Sequence, residues 1–238
     1  MLLAAHVLGD FVLQTARDVQ RKREPLVLTK HALIHAALAM LLIADYTTYY
    51  IPLAVFVTHA ILDYAKARWY ADSAAAFLAD QAGHILVMAV LARVFAAPEP
   101  LAFGWGEQLH LGTAYAKLAA LLAGFIVTVR AGKFVLALFI KPYLDELRDR
   151  APESGPSALQ NAGQTIGVLE RLLIFVLVMA DQVGAVGFLI AAKSVFRFGE
   201  LKESTKRMES EYIIIGTLAS FAYGICASLA TRALWCAL

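Results

Sequence analysis

The chain has 238 residues, of which 60% are hydrophobic and only 17% charged, and its mean hydropathy is +0.65. A soluble domain carries about 25% charged residues, so a soluble globule is excluded and a polytopic helical membrane protein is expected. The formal net charge of +2 is too small to single out a polyanionic partner, and nucleic acid is not expected as one.

The first apolar stretch covers about residues 2–16. It contains His6 and Asp10 and lacks a basic start, so it reads as a membrane span and not as a cleavable leader. A basic loop with Arg17, Arg21, Lys22 and Arg23 follows and is closed by Pro25. Further spans are expected at about 27–45, 50–67 and 73–96. A loop with Pro98, Pro100, Gly104 and Gly106 leads to a long fifth helix at about 112–140, in which Arg130, Gly132 and Lys133 predict a kink or an early exit. Residues 141–162 are polar and rich in Pro, Gly and Ser. They are expected to link an N-terminal membrane domain, 1–140, to C-terminal membrane helices, 163–238. Those helices are expected at about 163–182, 184–199 and 209–235, the middle one short for a full crossing. The fold class is therefore all-α, with about eight helices and an N-terminal four-helix bundle. Cys226 and Cys236 are expected as packing residues, not as a disulfide.

Lys and Arg crowd segments 17–30, 66–68, 141–150 and 197–207 and are absent from 45–50, 97–111 and 181–184. By the positive-inside rule this alternation puts the basic loops in the cytoplasm and makes the protein a multi-pass protein of the cell inner membrane. Segment 197–211 predicts an amphipathic stretch lying on the anionic inner leaflet.

Within this apolar frame, four pairs of metal-ligand residues recur at a spacing of four: His6/Asp10, His31/His35, His59/Asp63 and Asp80/His84. A spacing of four puts both members of a pair on one helix face. With successive helices running in opposite directions, Asp10, His31, Asp63 and Asp80 form a layer near the cytoplasmic ends, and His6, His35, His59 and His84 a layer one turn deeper. Such groups are costly against lipid and are expected to face one another. Mixed imidazole and carboxylate ligands suit a divalent transition metal, Zn first and Mn, Fe or Ni after it, as one or two ions. A single His-x-x-x-Asp pair is a weak motif, and a metal-free proton relay is the main alternative for all four. Asp10 and Asp80 are candidate general bases. Gln14 and Gln81 are placed to orient ligands or substrate, and Lys30 and Lys66 to neutralise a phosphate or simply to anchor the helix ends.

In the C-terminal part, Glu170, Arg171 and Lys193 are expected either to bind an anionic headgroup or to lock helix packing by pairing Glu170 with Lys193 or Arg171, the packing role being favoured. Gly163, Gly167, Gly184 and Gly187 are expected to allow close helix approach.

The run His6-Val-Leu-Gly-Asp10-Phe-Val-Leu-Gln14, then Lys30-His31 with His35, Thr58-His59 with Asp63 and Lys66, and Asp80-Gln81 with His84, resembles an uncharacterised family of bacterial integral membrane proteins known as a domain of unknown function. Ile166-Gly-Val-Leu-Glu170-Arg171, Ala191-Ala-Lys193-Ser194 and Glu211-Tyr212 with Gly216-Thr217 resemble the C-terminal half of its longer members. The resemblance implies a membrane protein and assigns no activity. The pattern is more loosely similar to membrane-bound metal-dependent hydrolases, whose spans carry His and Asp pairs.

The leading expectation is a membrane-embedded, metal-dependent hydrolase that acts on a lipid-linked or phosphate-bearing substrate at the cytoplasmic headgroup level. A transition-metal or proton transporter using the same cluster is the second, and a metal-stabilised structural or sensing subunit the third. Membrane lipids are the expected partners, and small residues on several helices are compatible with a homodimer.

Overall fold

The computed structural model describes residues 1–69, 73–95, 105–150, 162–198 and 207–238. The described residues are helical and contain no strand. Helix α1 (Leu2–Leu8) continues into a π-helical turn, Gly9–Leu13, and a short α2 (Ala16–Gln20) follows. Then come α3 (Pro25–Ile43), α4 (Tyr50–Trp69), α5 (Ala74–Val94) and a short α6 (Trp105–Gln108). Helix α7 (Thr113–Phe125) runs through a second π turn, Ile126–Ala131, into α8 (Gly132–Arg150). The chain ends with α9 (Ala162–Met179), α10 (Val183–Phe198) and α11 (Arg207–Ala237). All eight expected helices are present among the described residues.

Local chemistry sets the ends. Pro25 sits in the first turn of α3, where its missing N–H costs nothing, and Ala44 closes that helix in the left-handed region at φ 52°. Ser73 caps α5 by accepting from the backbone N–H of Ala76. Four helices are long and apolar enough to cross a membrane: Pro25–Ile43, Ala74–Val94, Thr113–Leu147 and Ser210–Ala237. The 20 residues of α4 span about 30 Å, the thickness of a hydrocarbon core, with Tyr49 and Tyr50 at one end and Trp69 at the other, where amphipathic rings favour the interface.

The chain forms two compact units, Met1–Ile126 with Leu234–Leu238, and Val127–Ala233. In the first, α1, α3, α4 and α5 close a four-helix bundle in which each helix touches two neighbours, and α7 packs on α1. The polarity is inverted relative to a soluble bundle. Leu26, Leu33, Ile61, Leu86 and Val90 point outward, whereas His6, His31, His35, His59, Asp63 and His84 are buried. Lipid solvates the outside, and the inside holds what lipid cannot. Ala4 and Ala5 of α1 and Ala32, Ala36 and Ala39 of α3 are buried, and the two helices pack on each other, as small residues favour.

In the second unit, Ile174, Val178, Val186 and Phe221 form an apolar core. Beside it the buried Arg171 donates to the carbonyls of Thr128 at 3.1 Å and Val129 at 3.2 Å and to Ser220 Oγ at 3.0 Å. Tyr223 donates to the carbonyl of Val127 at 2.8 Å. Two side chains thus serve three consecutive carbonyls of a segment at the second π turn, where the regular ladder is disturbed. Glu170 pairs with Lys193, as one of the expected packing contacts requires, while Arg171 turns to the backbone instead. Near Arg130, Gly132 and Lys133, where a kink or early exit is expected, the chain has this π turn, which includes Arg130, while Gly132 and Lys133 open the regular helix α8.

Three expectations differ from the structure. The polar linker at 141–162 is helical over 141–150, where Pro142 is carried inside α8, and 151–161 lie outside the described residues. Gly163, Gly184 and Gly187 face open space among the described residues, so they are not points of close helix approach. Of the four glycines only Gly167 is crowded, since a methyl group in its place would lie 3.2 Å from Arg171 Nη1. Cys226 and Cys236 are free and exposed, not packed inside. Most of the amphipathic stretch at 197–211, residues 199–206, lies outside the described residues.

Candidate metal centre

Six of the eight ligand-type side chains, Asp10, His31, His35, His59, Asp63 and His84, come together in groups able to hold a metal ion, and the π turn in the first helix helps them to. Gln14 N donates to the carbonyl of Gly9 at 3.0 Å, one residue further than in an α-helix, so the turn around Asp10 is widened. Gly9 provides the space. A Cβ there would fall under 3.0 Å from three ring atoms of His35, so only glycine allows α3 to bring this imidazole against α1.

Around Asp10 the geometry is that of a ligand set. His31 Nε2 lies 3.1 Å and His35 Nε2 3.2 Å from Asp10 Oδ1, with His59 Nε2 at 3.8 Å. The other oxygen, Oδ2, accepts from Gln81 Nε2 at 2.9 Å. A carboxylate only accepts, which fixes the Gln81 amide, so its Oε1 faces His6 Nε2 at 3.2 Å and accepts from it. His6 therefore holds Gln81, Gln81 holds Asp10, and Asp10 Oδ1 is left facing three imidazole nitrogens. Gln14 Nε2 lies 3.3 Å from His31 Nε2 at the edge of the same group.

A second group adjoins it. Asp63 Oδ2 lies 3.4 Å from His31 Nε2 and 3.5 Å from His59 Nε2, and its Oδ1 lies 4.0 Å from His84 Nε2. His84 Nδ1 lies 2.8 Å from the carbonyl of Asp80, four residues back on its own helix. A carbonyl only accepts, so Nδ1 carries the proton and, in the neutral ring, Nε2 turns a lone pair towards Asp63. His59 Nε2, His84 Nε2 and both oxygens of Asp63 are buried without a hydrogen-bond partner among the described residues. Lys22 Nζ stands 2.9 Å from Asp63 Oδ2, as an ion pair out of line for a hydrogen bond.

The expected deep layer of four imidazoles is present: ring centres lie 3.6 Å apart for His35 and His59, 4.3 Å for His59 and His84, and 5.0 Å for His6 and His84. These rings line a cavity of about 20 Å³, room for about one water-sized occupant. Apart from Thr58, whose hydroxyl donates to the carbonyl of Ala54, its other walls are apolar, among them Ala39, Val55, Val87, Met88 and Leu91.

The remaining predicted residues sit at the rim. Asp80 accepts from Lys66 at 2.8 Å and stays outside both ligand groups. Lys30 donates to Asp18 at 2.8 Å, exposed and away from the imidazoles. This bond, with those from Thr15, holds the Asp18 carboxyl well below the usual carboxylate range.

Asp10, His31, His35 and His59 form one group able to hold a metal ion, and His59, Asp63 and His84 another. Within each group one ligand atom per residue lies within 4.8 Å of the others. Two nitrogens on one zinc are at most about 4.2 Å apart, so a small inward movement completes either set. The fit has a second support: the Nε2 atoms of His59 and His84 are buried with no hydrogen-bond partner among the described residues, an arrangement that a bound cation would relieve. His6 points its Nε2–H at Gln81 and supports the first group without entering it.

Two participants were not singled out by the sequence. Lys22 differs in no local feature from its basic neighbours Arg21 and Arg23. Gly9 carried a faint signal, being a helix-weakening residue between two ligands in a membrane span.

Comparison with known families agrees with the main resemblance. Residues 1–103 match the family described as Protein of unknown function (DUF3307). No curated protein matches the chain, nor does any solved structure, so the looser likeness to metal-dependent membrane hydrolases has no match behind it. The whole ligand-bearing bundle, α1 to α5, lies within the part of the chain that matches the DUF3307 family.

Proposed function

We propose that the protein is a divalent-metal-dependent hydrolase of the cell inner membrane, acting on a lipid-linked or phosphate-bearing substrate at the cytoplasmic headgroup level. The observation that carries the reading is the convergence of Asp10, His31, His35 and His59 with Asp63 and His84 in the core of an otherwise apolar bundle. A bound divalent metal supplies Lewis acidity and lowers the pKa of bound water towards neutrality.

The protein's own groups account for the rest. Gln81 and His6 orient Asp10 as a ligand, so Asp10 is better suited to binding than to proton transfer. Asp80 lies outside the ligand groups, paired with Lys66, and becomes the carboxylate that accepts a proton when an anionic headgroup draws Lys66 away. Lys66, now bound to Asp80, and Lys30, bound to Asp18, lie at the basic rim where an anionic headgroup would arrive. The apolar walls of the cavity exclude bulk water from the imidazole layer. They also favour hydrolysis over transport, since a transport path needs polar groups continuing past the histidines.

The test is turnover of a panel of extracted lipid phosphates by purified protein in liposomes, with zinc or manganese supplied. The reading predicts hydrolysis that chelator abolishes and that His35→Ala and Asp63→Ala both lose. Metal flux across the liposome, lost in the same variants and without turnover, overturns it in favour of transport.

A further inference from the structure

The ligand helices repeat one pattern. His6-x-x-x-Asp10 is followed by His31-x-x-x-His35, and His59-x-x-x-Asp63 by Asp80-x-x-x-His84. Asp10 and His31 are 21 positions apart, Asp63 and Asp80 only 17. The repeat extends to the contacts: Gln14, just past Asp10, touches His31 at 3.3 Å, and Lys66, just past Asp63, touches Asp80 at 2.8 Å. Two such hairpins closed into one bundle offer two equivalent cation positions, one at Asp10 and one at Asp63.

The two positions are furnished differently. The partners of Asp10 are imidazoles and the Gln81 amide. Asp63, buried completely, has a fixed cation: Lys22 Nζ at 2.9 Å, on a side chain only 14% exposed. Its neighbours pin it there. Arg21 donates twice to Glu24, at 2.8 and 2.7 Å, and Arg23 Nε donates to the carbonyl of Ala67 at 3.0 Å, tying the turn to the end of α4. This turn belongs to the longer of the two connections.

We propose that Lys22 is the second cation of this centre. Its ammonium takes, at Asp63, the place that the repeat gives to a second metal ion, and the protein holds one divalent ion at Asp10, His31, His35 and His59 beside a tethered lysine. The inference rests on the cluster being a metal centre but not on its being hydrolytic. A positive charge held on Asp63 repels a divalent ion from His84, and removing it is expected to raise affinity there by about tenfold or more.

The experiment is zinc stoichiometry at saturation, by equilibrium dialysis and elemental analysis of the full chain in detergent. The wild type is expected to hold one ion, Lys22→Arg one, and Lys22→Met two, returning to one when His84→Ala is added. Lys22→Gln replaces Lys22→Met if the latter fails to fold. Two ions in the wild type, or one in both neutral variants, overturns the role of Lys22 while leaving the metal centre intact. No ion in the folded wild type overturns both.

Discussion

Replacing Gln81 by leucine removes the one group that orders the first ligand set while keeping the side chain's bulk. Gln81 Nε2 donates to Asp10 Oδ2 at 2.9 Å and Gln81 Oε1 accepts from His6 at 3.2 Å. Hydrogen bonds to a charged group contribute about 1.5–3 kcal/mol, and each 1.4 kcal/mol is a factor of about ten in affinity. Freed of Gln81, Asp10 rotates away from the line that presents Oδ1 to His31, His35 and His59. Zinc affinity should therefore fall about ten- to a hundredfold, the usual range for an orienting partner of a metal ligand. The assay is competition against a chromogenic chelator in detergent micelles, with thermal melts by circular dichroism to show that the variant is folded. Lys30→Ala, which touches only Asp18 in this set, should titrate like the wild type. A folded Gln81→Leu protein whose titration superimposes on the wild type would refute the chain from His6 to Gln81 to Asp10.

Other substitutions probe the surroundings. Gly9→Ala drives a methyl into the His35 ring; it should cost about 1–3 kcal/mol in stability, as overpacking does, and weaken zinc binding, both read from melts with and without metal. Arg171→Met strips the side-chain donor from the carbonyls of Thr128 and Val129. It should lower stability by about 2–5 kcal/mol while leaving zinc stoichiometry unchanged; an unshifted melting temperature would contradict its role at the π turn. Asp18 has its folded pKa lowered by Lys30, so its contribution is complete above about pH 4 and declines as pH falls further. The melting-temperature difference between wild type and Asp18→Asn should be constant from pH 7 to about pH 5 and shrink in more acid solution.

The helices and the inward-facing ligands were legible because membrane physics leaves few choices. An apolar run of about 20 residues becomes a helix, and a histidine or aspartate within it turns towards other polar groups. Spacing of four then put His35, His59 and His84 in one layer without knowledge of the packing. What spacing could not supply was the direction of each hydrogen bond. His6 and Asp80 have the same credentials in sequence as His35 and Asp63, yet the Gln81 amide and the Lys66 ammonium draw them out of the ligand groups. Lys22 was hidden for the opposite reason: it reads as one more positive-inside residue, and only the fold of the turn aims it at Asp63. The π turn at Asp10 depends on i to i+5 bonding, which leaves no periodic trace over five residues. In α8 the charged residues 141–150 look like a linker but continue the helix beyond its apolar part.

X-ray absorption at the zinc edge, on protein reconstituted with one equivalent of zinc, tests the central claim most directly. The account predicts nitrogen and oxygen neighbours at about 2.0–2.1 Å with the multiple scattering of three imidazoles, reduced by one in His35→Ala. Zinc that remains fully hydrated, or a spectrum unchanged by that substitution, would contradict a metal centre built on Asp10, His31, His35 and His59.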